Sequence, residues 1–191
     1  MALTRRRLLK ITTASAAVLA LPLSSRKLQA TPECEGLNPT RRQTAGPFYS
    51  KGPPERASFI EPGVGGKRMI LKGRVLNTDC QTVGEAHLDF WHASPEGGYD
   101  NDGFQFRGWQ TADSTGAYEL ETLAPGHYPG RTSHIHVKAN APDGKVLTTQ
   151  VYFPWDERNA KDGIFRESLL VEVEEETAGL VVCRFDFVLT T

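Results

Sequence analysis

The chain has 191 residues, 39% of them hydrophobic and 24% charged, and its formal net charge of −1 hides an uneven distribution. Six of the 22 Lys and Arg and none of the 23 Asp and Glu fall in the first thirty residues, so the remainder sets sixteen basic against 23 acidic side chains, a net charge of −7. That acidity weighs against a nucleic-acid or anionic-membrane partner, both of which need basic patches. The remaining length of about 160 residues suffices for one domain with its own core.

The N-terminus reads as a separate object. Arg5, Arg6, Arg7 and Lys10 precede an apolar run over 11–23, the charged and hydrophobic regions of an export signal that is short for spanning a bilayer. The arginine pair resembles a twin-arginine signal, whose route carries folded proteins. The expectation is a signal over 1–30, cut after Ala30, and an exported product with no membrane attachment once the signal is removed. An uncleaved anchor, or a basic tail of no consequence, is the alternative.

Residues 31–66 read as a linker and irregular segment. It contains QTAGPFY, a Gly-Pro turn flanked by aromatics that should pack as a loop over the core near the pocket mouth, and a Pro- and Gly-rich stretch over 51–66. From 67 to 191 the chain alternates between apolar and polar residues in turn-punctuated segments, which predicts strands over 69–76, 86–92, 116–122, 132–139, 147–153, 168–173 and 180–189. One short helical turn is expected within 156–165. The acidic run 172–176 reads as a solvated turn, and Cys183 as a buried core thiol. These segments predict an all-β protein, an antiparallel β-sandwich whose long loops carry the functional site.

The chemistry concentrates in PGHYPGRTSHIH, residues 125–136. His134 and His136 stand at i and i+2, so in a strand both leave the same face roughly 6–7 Å apart at Cα and can share one metal ion. Tyr128 sits in a turn stiffened by two prolines and two glycines, and Arg131 brings a permanent charge to the same place. Upstream, the alternating segment 86–92 ends in ASPEGGY, a turn-rich loop that presents Tyr99. Taken singly, each histidine reads as an ordinary strand residue and each tyrosine as a half-buried aromatic with a wet hydroxyl.

The blocks WHASPEGGY, FRGWQT, PGHYPGR, HIH and TTQVYF, in this order and spacing over about residues 40–153, resemble those of the intradiol ring-cleaving dioxygenases. That family of non-haem ferric enzymes includes catechol and protocatechuate dioxygenases. The resemblance implies a single Fe(III) held by Tyr99, Tyr128, His134 and His136, with Arg131 and Gln150 facing the substrate. It also implies that Tyr128 leaves the metal as substrate binds while Tyr99 stays. The partners would be a small aromatic diol and O2, and self-association into a homo-oligomer is left open. Two phenolates and two imidazoles form a hard, anionic donor set suited to Fe(III), and a nearby trivalent ion supplies the drive to ionise a phenol that otherwise titrates near pH ~10.

Two other functions compete. One is a β-sandwich binding module with a structural metal. The other is a zinc hydrolase, which would need a carboxylate or cysteine beside the HIH strand; no Asp or Glu lies there. Of the remaining histidines, His87 and His127 read as ordinary, and His92, nearer the Tyr99 loop, as a hydrogen-bonding support behind the metal. Cys34 and Cys80 stand where exported members of the family look similar. Their pairing, closing 46 residues, would add about 4 kcal/mol on the chain-entropy model. Spacing alone does not choose among three cysteines.

Overall fold

The computed structural model describes residues 36–190; the expected signal, its cleavage site and Cys34 lie outside the described residues. Among the described residues nine strands form: β1 (Arg68–Asn77), β2 (His87–His92), β3 (Arg107–Thr111), β4 (Ala117–Leu123), β5 (His134–Asn140), β6 (Leu147–Tyr152), β7 (Glu172–Glu176), β8 (Leu180–Arg184) and β9 (Phe187–Leu189). They make two sheets, one in the order β4-β1-β8-β7 with β9 alongside the end of β1, the other in the order β3-β2-β5-β6. Alternation decides what each sheet buries. Leu88, Phe90, Ile135, Val137 and Val151 from the second sheet meet Met69, Leu71, Leu120, Val181 and Cys183 from the first in one core.

The β-sandwich is the expected architecture, with informative departures. The second sheet is antiparallel throughout, but β1 runs parallel to both β8 and β9. The segment expected as one strand over 180–189 breaks at Phe185 and Asp186. There Gly73 of β1 lies against the Phe185 carbonyl, where a Cβ would come within 1.9 Å, and Asp186 accepts from the Arg74 amide. The strand expected over 168–173 is instead a 3-10 turn, Glu167–Leu169, followed by β7. The acidic run read as a solvated turn is β7 itself, a bulged strand paired on one side only; its exposed glutamates suit an edge because charge deters further pairing. β3 was not expected: Gly108 interrupts its pattern, and a Cβ there would meet Phe59 at 2.7 Å.

Residues 36–66 form no strand beyond isolated bridges and lie along both sheets. Backbone bonds tie Leu37 to Thr78, Thr40 to Val188, Gln43 to Thr148 and Phe59 to Glu121, and Phe59 is in the core. The expected helical turn is the 3-10 segment Glu157–Lys161. Cys80 is disulfide-bonded and Cys183 is a buried free thiol. No helix among the described residues is long and apolar enough to cross a membrane.

Candidate metal centre

The outer face of the second sheet carries the site. Register aligns Arg107 of β3, Trp91 of β2, His136 of β5 and Gln150 of β6 as one row of paired residues, with His134 opposite Tyr152 one step along. Side chains so paired project to the same side. His134 and His136 therefore lie on one face as expected, their rings 4.7 Å apart and their Nε2 atoms at 3.1 Å. His134 Nδ1 donates to the Thr132 carbonyl at 2.7 Å. A carbonyl only accepts, so the proton is on Nδ1 and Nε2 presents a lone pair. Burial, reinforced by Arg131, lowers the His134 pKa to about 4. Burial and His134 push that of His136 well below the usual range, against the pull of the Thr44 carbonyl. Both rings are neutral at pH 7, and His136 Nδ1 reaches no partner in hydrogen-bonding geometry among the described residues.

Two loops bring the tyrosines to this pair. The Gly126 amide donates to Ser94 O at 2.9 Å, and the two backbones touch where a Cβ at Gly97 would lie 1.9 Å from His127 O and one at Gly126 would lie 2.1 Å from Pro95 O. Only glycine fits such contacts, and Gly97 also has a left-handed φ of 91°. This contact sets the Tyr99 and Tyr128 rings 6.0 Å apart at 85°, with Tyr99 6.4 Å from His136. Tyr99 Oη is buried without a hydrogen-bond partner among the described residues. Burial drives its ionisation far above the ordinary range, although Arg131 and Arg107 pull the other way. A buried hydroxyl left unpaired costs about 1–3 kcal/mol, and a cation among these rings would remove that cost.

A model of the dioxygenase family matches residues 45–191. The chain belongs to the intradiol dioxygenase family. Among solved structures it is similar to the dioxygenase domain of a dioxygenase carbohydrate-binding protein fusion from Streptomyces sp. SirexAA-E, at 42% identity and a TM-score of 0.78, covering 81% of this chain and 99% of that one. It is 27% identical over 166 residues to hydroxyquinol 1,2-dioxygenase of Nocardioides simplex, covering 73% of this chain and 57% of that protein. It is 27% identical over 171 residues to catechol 1,2-dioxygenase of Acinetobacter baylyi, covering 73% and 55%. The chain thus spans little more than half the length of these two curated relatives.

In this intradiol dioxygenase family member the other expected residues also converge. Arg131 Nε donates to Asp162 Oδ2 at 2.7 Å and its Nη2 to Gln150 Oε1 at 2.6 Å. Tyr152 Oη donates to the same Gln150 oxygen at 3.0 Å, and Gln150 Nε2 donates to the Thr44 carbonyl at 2.9 Å. These partners fix the amide orientation of Gln150, leaving its second N–H as the only free donor. Two aspartates hold the approach to the histidines. Asp162 Oδ2 accepts from the Thr132 amide at 3.1 Å and Asp156 Oδ2 from the Ser133 amide at 2.7 Å, while Asp156 also caps the 3-10 turn 157–161.

QTAGPFY is a strap across the sheet face. Gly46 lies on His136, where a Cβ would sit 3.2 Å from the ring. Phe48 stacks on Tyr99 at 4.5 Å, and Tyr49 covers Trp91 at 4.8 Å and donates to Asp89 at 2.9 Å. Trp91 in turn stacks on His136 at 4.8 Å with parallel planes.

His92 is a correction. Its neighbour in register is Ile135, so it points into the core, with Nδ1 donating to Ala93 O at 2.7 Å and Nε2 2.8 Å from Thr122 Oγ1. The parity of Leu88 and Phe90 carried that signal. His127 pairs with Asp156 at 2.9 Å, and His87 packs on Trp109. Sequence reasoning missed Tyr152, Trp91, Arg107 and both aspartates as parts of the site. The first three sit inside the family-like blocks, but nothing local assigns them a face. No group of three His, Cys, Asp or Glu is placed to hold a metal among the described residues; the donors gathered here are the two imidazoles and the Tyr99 phenol, with the Tyr128 ring edge-on to Tyr99, and two imidazoles with two phenols would fit Fe(III) better than zinc.

Proposed function

We propose that this protein is a ferric intradiol dioxygenase. It takes a small aromatic diol and O2 and opens the ring between the two hydroxylated carbons, giving a muconate-type diacid. The observation that carries this reading is the meeting of two buried, neutral imidazoles, Nε2 atoms 3.1 Å apart, with a buried phenol that has no partner. Tyr99, Tyr128, His134 and His136 would hold the iron. When bound, the ion supplies a Lewis-acidic charge that makes phenol and diol protons easier to lose.

The chain's own groups do the rest. A guanidinium stays charged at any working pH, and Arg131, fixed by Asp162 and Gln150, stabilises negative charge that builds on the ring carbon as O2 attacks. Gln150 offers the diol an N–H, its oxygen being occupied. Tyr128, on a turn flanked by Gly126 and Gly130, would be ionised by the bound ion, and as a tyrosinate it would accept one diol proton at Oη, become a neutral phenol and turn outward, while Tyr99, boxed in by Phe48, would stay. The strap and Trp91 keep bulk water off His136.

Export completes the proposal. It is supported by the charged and then apolar N-terminus and by the disulfide at Cys80, since disulfides persist in oxidising compartments. After signal removal the protein is free of the membrane. The purified protein is expected to be reddish, to carry stoichiometric iron, and to consume O2 with at least one of catechol, hydroxyquinol and carboxylated catechols, giving a product with the mass of substrate plus O2. Colourless iron-loaded protein, or coloured protein inert towards the whole panel, would overturn the reading in favour of a binding module.

A further inference from the structure

Arg107 is only 1% exposed, yet no carboxylate among the described residues forms an ion pair with it. A buried guanidinium cannot shed its charge, so its donors must find acceptors. Here Nε and Nη2 both donate to the Asp100 carbonyl, at 3.0 and 2.7 Å, and Nη1 donates to the Phe48 carbonyl. The fork thus joins two distant chain segments through their backbones. Asp100 directly follows Tyr99, and the Phe48 ring lies flat on the Tyr99 ring. The guanidinium carbon itself is 5.8 Å from the centre of that ring.

The clamp is anchored in the sheet. Arg107 is paired in register with Trp91, and Trp91 with His136, on which it stacks. Tyr99 Oη has no hydrogen bond of its own, so the position of its ring depends on its backbone and on the groups against its faces. Arg107 holds the Asp100 carbonyl on one side and, through Phe48, the stacked ring on the other. The Asp100 carboxylate then organises the rest of the loop, accepting from the amides of Asp102, Gly103 and Gln105.

We propose that Arg107 is a positioning residue that locks Tyr99 and the Phe48 strap in register with His136, so that the donor rings are assembled before a cation arrives. This rests on the reading of Tyr99 and His136 as iron ligands. The geometry requires arginine: a lysine ammonium is a single point donor on a flexible stem and does not bridge two carbonyls as a planar fork does.

The test uses the full chain, with and without iron. It compares Arg107→Lys and Arg107→Met with Met69→Ala, which opens a cavity in the core without touching any of the Arg107 hydrogen bonds. Three quantities are measured: iron affinity by chelator competition, the visible tyrosinate band, and amide exchange in the iron-free chain. Both Arg107 variants are expected to bind iron roughly 10- to 100-fold more weakly, the usual effect of removing a partner that orients a metal ligand. Their band should shift, and the Asp102, Gly103 and Gln105 amides should exchange at least about 10-fold faster, as expected of a locally opened loop. Met69→Ala should melt earlier yet match the parent in all three. Parent-like iron binding and exchange in Arg107→Lys, or equal iron loss in Met69→Ala, would overturn the proposal, and the Lys variant keeps the test valid if Arg107→Met does not fold. A parent protein with no coloured iron complex would sink the iron reading instead, and the exchange rates would still decide whether Arg107 clamps the loop.

Discussion

Replacing Arg131 by Gln separates catalysis from stability, because the residue serves both through different atoms. Its Nε holds Asp162, whose side chain is 2% exposed, while its Nη2 reaches Gln150. Removing one partner of a buried pair costs about 3–5 kcal/mol. Asp162 keeps the Thr132 and Ile164 amides as donors, so the expected loss is about 3 kcal/mol, the low end of that range. For a domain of this size that lowers Tm by roughly 6–12 °C. The chemical step loses one preorganised charge, about 2–4 kcal/mol, or roughly 30- to 1,000-fold in kcat, with KM for catechol little changed. Asp162→Asn is the control: it breaks the ion pair but leaves Arg131 on Gln150, so it should melt earlier while kcat stays within about 10-fold of the parent. Oxygen-uptake kinetics and thermal melts on the two variants decide the matter. Unchanged kcat in Arg131→Gln, with only a lower Tm, would assign Arg131 to structure and refute its catalytic role.

His134→Ala or His136→Ala should lose most bound iron while the far-ultraviolet spectrum stays that of the parent; stoichiometric iron in either variant would remove that histidine from the donor set. Tyr128→Phe should remain coloured but bind catechol much more slowly in stopped flow, whereas Tyr99→Phe should lose the colour that persists in the substrate complex; the opposite pattern would exchange the two roles. Burial lowers the His92 pKa from 6.5 to about 4, so the folded state resists a proton that the unfolded chain accepts. Its contribution is therefore fully present above pH 6.5 and falls by about 3 kcal/mol as the pH drops to 4; denaturant melts of His92→Gln should show a shallower loss over that window. A non-reducing mass map should link the Cys80 peptide to that of Cys34 and leave Cys183 alkylatable only after unfolding; a free Cys34 in the exported protein would refute this pairing.

The sequence by itself determined what depends on neighbours along the chain. Strand alternation sets His134 and His136 on one face whatever surrounds them, and the same rule places Ile135 and Val137 in the core. His92 obeys it too: its parity with Leu88 and Phe90 turns it into the core beside Ile135, although it lies close to Tyr99 along the chain. Glycine- and proline-rich turns marked where both tyrosines are displayed, and turn-punctuated strands marked the sandwich. What only the tertiary structure decided is which distant segments meet. The row from Arg107 through Trp91 and His136 to Gln150 exists because three strand pairings adopt one register, and no residue in any one strand encodes the offset of its neighbour. The contact of the Tyr99 and Tyr128 loops depends on Gly97 and Gly126 meeting backbone carbonyls, so either glycine alone reads only as a turn. The parallel course of β8 beside β1, and the use of Asp156 and Asp162 to fix the chain before His134, follow from where long loops return to the sheet. Local propensity carries no record of that return, because its free energy comes from contacts formed only once the two sheets have packed.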